Sequence, residues 1–84
     1  MNRVLVNLYV PLMEKKYNIW IPVNRSINCI IKGFISGINS LNQIKYDVKK
    51  NYPRLYNKET ATIYDYNVKV IDTDIRNGTE LILF

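Results

Sequence analysis

A chain of 84 residues with 48% hydrophobic and 23% charged residues has the make-up of one globular domain, read as residues 1–84, and not of a disordered segment. Its single cysteine and lack of histidine exclude an internal disulfide, a cysteine-based cluster, and the commonest general base and metal ligand. The net charge of +5 admits an acidic or nucleic-acid partner, but the abundance of Asn, Ile, Lys and Tyr, all with AT-rich codons, accounts for the lysines more simply. The one dense basic stretch is Lys45, Lys49, Lys50 and Arg54, with Asp47 inside it. No run approaches the ~18 apolar residues that span a bilayer. Met1-Asn2-Arg3 leads straight into an alternating segment without a signal-peptide cleavage pattern, so the expected location is the cytoplasm.

Residues 3–10 place Val4, Val6, Leu8 and Val10 on one face, as a period-2 strand requires. Pro11 to Lys16 read as a turn with Glu14, Lys15 and Lys16 solvated. Residues 17–23 alternate again, with Tyr17, Ile19, Ile21 and Val23 on one face and Asn18 and Trp20 on the other. Two such runs with a short polar connection make an antiparallel hairpin, and Pro22 suits its second strand to an edge. The period then changes. Ile27, Ile30, Ile31, Phe34, Ile35, Ile38 and Leu41 recur at helical spacing, with Ser26 or Asn24 as the N-terminal cap. Gly33 and Gly37 share one face of this helix, where each costs about 1 kcal/mol relative to alanine. They reflect close packing or tolerance. The helix is expected to fade between Ile44 and Lys50.

Tyr52-Pro53 ends helical character. Arg54-Leu55-Tyr56 reads as a short strand, Asn57-Lys58 as a turn, and residues 60–64 as another short strand. Asp72 to Ile75 can cap a one-turn helix, Asn77-Gly78 is a turn, and Thr79 to Phe84 is the final strand. Leu81 and Leu83 fall on one face of that strand, Ile82 and Phe84 on the other. One helix must bury its stripe on one face of the sheet. The expected fold is α+β: a β-grasp with a mixed four- to five-stranded sheet packed on one helix.

The order of these pieces, from the hairpin Val4–Val23 to the ending Asp74-Ile75-Arg76-Asn77-Gly78-Thr79-Glu80-Leu81-Ile82-Leu83, resembles ubiquitin-like proteins over most of the chain. In size, and in stopping directly after the last strand, it looks most like the small bacterial YukD/EsaB proteins. That resemblance implies a cytoplasmic accessory or regulatory subunit of the type VII secretion systems with which Gram-positive bacteria export WXG100 proteins. The chain departs from ubiquitin and the sulfur carriers in ending at Leu83-Phe84 without a Gly-Gly tail, which argues against conjugation and sulfur transfer.

Chemistry finds little footing. The Asp72/Asp74 pair is the only close pair of carboxylates and suits capping better than metal binding or acid–base work. Cys29 would need lysine to activate it and lies beside the apolar stripe, so a structural or neutral role is expected. Three scattered glycines make no phosphate loop. No catalytic, cofactor or metal site is expected, and the protein is read as a non-enzyme.

The outward set of the sheet is more informative. It comprises Leu5, Tyr9, Trp20, Tyr56, Ile82 and Phe84, with Leu12 and Met13 extending it at the hairpin tip. The resemblance points the same way, since ubiquitin binds partners through a patch matching Leu12 or Met13, Tyr56 and Phe84. The expected site is therefore a protein-binding surface of Tyr9, Leu12, Met13, Trp20, Tyr56, Ile82 and Phe84, used by an adaptor and also open to self-association. The competing reading is a nucleic-acid binder using Lys45, Lys49, Lys50, Arg54 and Lys58 on phosphates and tyrosines for stacking.

Overall fold

Two period-2 segments at the N-terminus become β1 (Arg3–Val10) and β2 (Lys15–Pro22), paired antiparallel along their whole length from Arg3↔Pro22 to Val10↔Lys15. The computed structural model describes residues 2–41 and 52–84. Within them follow α1 (Ile27–Leu41), β3 (Leu55–Asn57) and β4 (Glu80–Leu83). The four strands stand in the order β2-β1-β4-β3. β4 runs parallel to β1 and antiparallel to β3, so the sheet is mixed. One helix packed on one face of such a sheet is the ubiquitin-like β-grasp. Pro22 lies on an edge strand, as its missing N–H demands.

The core lies between α1 and the sheet. Val6, Leu8 and Val10 of β1, Ile21 of β2, Leu55 of β3, and Leu81 and Leu83 of β4 are all buried against Ile27, Ile30, Ile31, Phe34 and Ile38 of α1. Ser26 caps the helix: its Oγ accepts the Cys29 N–H at 3.2 Å. The Ile27 and Asn28 N–H groups donate to the carbonyls of Val68 (2.8 Å) and Tyr66 (3.0 Å). These bonds satisfy the amides that a helix start leaves without partners. They also stitch the 66–68 segment onto the start of α1.

Gly33 and Gly37 are exposed, and a Cβ at either would meet nothing within 4 Å. Close packing therefore does not explain them. Gly33→Ala and Gly37→Ala are each expected to raise the unfolding free energy by up to about 1 kcal/mol, read as a higher urea midpoint with an unchanged slope. Loss of stability in both would mean that the open space beside them is filled in solution.

The structure departs from the sequence reading in three places. β2 begins at Lys15, because a 3-10 turn over Pro11–Met13 closes the hairpin with Glu14 in the left-handed region (φ 51°). The expected strand at 60–64 contracts to a single bridge, Tyr56↔Ile63. Two features prevent a longer pairing. Ala61 sits at φ 58°, and the Asn57 side chain gathers the Glu59 N–H (2.9 Å) and the Thr60 N–H (3.4 Å) into a turn. Nor does the Asp72/Asp74 pair cap a helix. The 3-10 turn covers Val70–Asp72, and Thr73 accepts the Ile75 N–H while donating to the Val70 carbonyl. The fade of α1 between Ile44 and Lys50, and the basic residues Lys45, Lys49 and Lys50, lie outside the described residues.

The Asn77-Gly78 turn is used as its sequence suggests. Gly78 adopts φ 85°, where only glycine is unstrained. Its N–H donates to the Leu5 carbonyl (2.8 Å), and the Asn77 Oδ1 accepts the Leu5 N–H (2.8 Å). The turn thus occupies the edge of β1 just ahead of β4.

Candidate protein-binding face

Alternation sends the second side-chain set of each strand away from α1. The register then decides which of these residues become neighbours. Tyr9 lies opposite Lys16 on β2 and Ile82 on β4, and Ile82 lies opposite Tyr56 on β3. These form one continuous row across the sheet. The Tyr56↔Ile63 bridge extends it to Ile63, which is 51% exposed. Phe84, 68% exposed, leans on Tyr56 with ring centroids 6.1 Å apart and planes tilted by 48°. Tyr9, Ile82 and Tyr56 are half-buried. Together they form an apolar and aromatic patch three strands wide.

The next row is polar: Asn18, Asn7 and Glu80 lie side by side, and Lys58 pairs with Glu80 at 3.6 Å. Beyond it, Leu5 lies opposite Trp20, and the Arg3 guanidinium stands 5.3 Å over the indole. The expected surface is therefore two patches. Trp20, 49% exposed, belongs to the second and is separated from Tyr56 and Phe84 by the Asn18–Asn7–Glu80 row.

At the hairpin, Leu12 is 61% exposed at the same end of the sheet as Tyr9, whereas Met13 packs against the core and does not join the outward set. Successive residues of a 3-10 turn point about 120° apart, so neighbours cannot share a face. Sequence reading missed Ile63, because its place beside Tyr56 comes from a bridge and not from a strand. It also missed the polar row, which only the parallel β1–β4 register reveals.

Of the cations in the nucleic-acid reading, the described pair is engaged within the fold. Arg54 stands 5.3 Å over the Tyr66 ring, and Lys58 pairs with Glu80. Tyr66 in turn meets Tyr52 edge-on at 5.4 Å and donates to the Pro53 carbonyl. Burial, and secondarily the neighbouring Tyr66, raise the pKa of Tyr52, whose hydroxyl donates to Asn28 Oδ1 at 2.6 Å. Cys29 is exposed, and the amides beside it at the helix start are already bonded. Among the described residues no group of three or more Cys, Asp or Glu could hold a metal ion. No helix among them is long and apolar enough to cross a membrane.

Known structures share this architecture. The chain is similar to the ubiquitin-like domain of the Arabidopsis thaliana protein At2g32350 (TM-score 0.75, 13% identity), over 100% of this chain and 78% of that one. It is similar to the EccD5 ubiquitin-like domain from Mycobacterium xenopi (TM-score 0.74, 12% identity), over 100% of this chain and 94% of that one. It also matches a chain of the ESX-5 inner membrane complex (TM-score 0.73, 12% identity), spanning 21% of that longer chain. At these identities the likeness shows the fold: the protein has a ubiquitin-like β-grasp. No protein-family model matches the sequence. No curated protein matches it either.

Proposed function

We propose that this chain is a non-catalytic protein-interaction domain that docks through the Tyr9–Ile82–Tyr56–Phe84 patch. In this reading it is a cytoplasmic accessory or regulatory component of a type VII, WXG100-exporting secretion system. The observation that carries the docking reading is the patch itself: a contiguous row of half-exposed aliphatic and aromatic side chains that the fold's own core does not use. Large, stiff aromatic side chains bury much area at low entropic cost, which suits them as interface anchors. The secretion reading is supported by the sequence resemblance to YukD/EsaB proteins and by the likeness of fold to an EccD5 ubiquitin-like domain and to a chain of the ESX-5 complex. Likeness of fold alone does not select a function.

The test is affinity capture from the native bacterial cytoplasm, comparing the wild type with Tyr56→Ala and with Trp20→Ala. Retention of secretion-system proteins by the wild type and by Trp20→Ala, with about a tenfold or greater loss in Tyr56→Ala, is the expected pattern. Capture unaffected by Tyr56→Ala would remove the patch from the interface. An eluate dominated by nucleic acid, released by modest salt, would favour the competing reading.

A further inference from the structure

A second surface, on the opposite side of β2 from β1, is independent of the patch above. The Val23 N–H donates to the Asn2 carbonyl at 2.8 Å, and this bond sets the hydrogen-bonding alternation of the β1–β2 ladder. Odd-numbered residues of β2 bond to β1. Even-numbered ones, Lys16, Asn18 and Trp20, direct their N–H and C=O groups outward. The β1 residues agree, since Leu5 and Asn7 turn theirs toward the Asn77–Thr79 segment and β4. Among the described residues no strand pairs with the outer edge of β2. Unpaired strand edges invite another strand.

Alongside that edge runs an open groove of about 790 Å3 between β2 and α1. Ile19 and Ile21 line its strand side, Ile30, Phe34 and Leu41 its helix side. Gly33 and Gly37 also line it, one helical turn apart, and the space where their side chains would stand is empty. Among the described residues the groove is charged in one sense only. Arg25 lies at its Pro22 end, Lys15 and Lys16 open β2 at the other, and neither β2 nor α1 contains an aspartate or glutamate. The carboxylates of the described residues, Glu14, Glu59, Asp65, Asp72, Asp74 and Glu80, do not line it. A second copy of the chain would bring like charges to both ends, which disfavours self-pairing here.

We infer that this groove binds an extended peptide segment of a partner protein as an added strand on β2. Alternate apolar side chains of that segment settle over Gly33 and Gly37, and acidic residues at its ends meet Arg25 and Lys15/Lys16. Backbone pairing to Asn18 and Trp20 supplies affinity, and the charged ends select the partner.

The probe is a capped synthetic peptide, Glu-Val-Thr-Val-Thr-Val-Glu, titrated into the isotopically labelled full chain and followed by amide chemical shifts. A control peptide carries lysine in place of both glutamates. Expected are shifts at Asn18, Trp20, Gly33 and Gly37, and binding about tenfold weaker for the lysine peptide at low salt. Gly33→Leu/Gly37→Leu should keep its fold, since each new side chain enters open space, and should abolish the shifts. Arg25→Glu, on an exposed side chain, should narrow or reverse the preference between the two peptides. Shifts confined to Tyr9, Ile82 and Tyr56 would overturn the proposal, as would equal binding of both peptides or no binding of either. A concentration-dependent dimer with its interface at Lys16, Asn18 and Trp20 would assign the edge to a second copy and overturn it as well.

Discussion

Leu81→Ala is expected to lower the unfolding free energy by about 3 kcal/mol, within the range for burying a cavity in place of a leucine. Leu81 is 1% exposed, sits in β4 at the centre of the sheet, and lies opposite Leu8 on one side and Asn57 on the other. Its side chain joins the cluster that α1 covers, so deletion empties the middle of the core, where three strands limit collapse. A domain of this size holds about 4–13 kcal/mol in all. The loss is therefore a large share, and the urea midpoint should fall with the slope unchanged. Ile82→Ala is the internal control. Its neighbouring side chain points to the other face and is half-exposed, so the cost should be about 1 kcal/mol or less. Equal losses for the two would contradict the assignment of faces, and with it the docking patch.

That assignment was legible in the sequence because alternation is a local property. Val6, Leu8, Leu81 and Leu83 declare a buried side by spacing alone, and Ile27, Ile30, Ile31, Phe34 and Ile38 declare a helical stripe. Residues 58–79 carry no such period. Their fold is written in single long-range bonds, such as the Ile71 N–H on the Val23 carbonyl and the Ile27 N–H on the Val68 carbonyl. No spacing rule anticipates these. Asn57 is the sharpest case. Its residue type reads as a turn, yet it is the one buried polar side chain in the described core, held there because every polar atom it carries finds a partner. The site divides the same way. Which residues face outward follows from parity. Which lie side by side follows from register, and the parallel β1–β4 pairing inserts Asn7 and Glu80 between Trp20 and Tyr56.

The second large effect is expected at the network anchored by Asn57. The Tyr64 hydroxyl donates to Asp74 Oδ1, and Asn57 Nδ2 donates to the Tyr64 oxygen at 3.2 Å and reaches Asp74 Oδ2 at 3.5 Å. The end of β3, the loop after it and the approach to β4 are joined at this point. Tyr64→Phe removes a hydrogen bond to a carboxylate and leaves Asn57 Nδ2 short of an acceptor, a loss of about 2 kcal/mol. The variant should also differ in pH dependence. Burial, reinforced by the hydrogen bond to Asp74, raises the Tyr64 pKa above its ordinary value of 10.0. The folded state thus holds the phenolic proton more tightly than the unfolded chain does. The stabilisation is fully present below pH 10. It declines as the pH rises further, because the unfolded state then gains by releasing a proton that the folded state keeps. Wild type and Tyr64→Phe should therefore converge in stability on the alkaline side, by up to about 1.4 kcal/mol per pH unit, while their difference stays constant between neutral pH and about 9. The two proteins differ only at this hydroxyl, so all other contributions cancel in the difference. Parallel stability curves through the alkaline range would mean that Tyr64 donates no such bond in the folded protein.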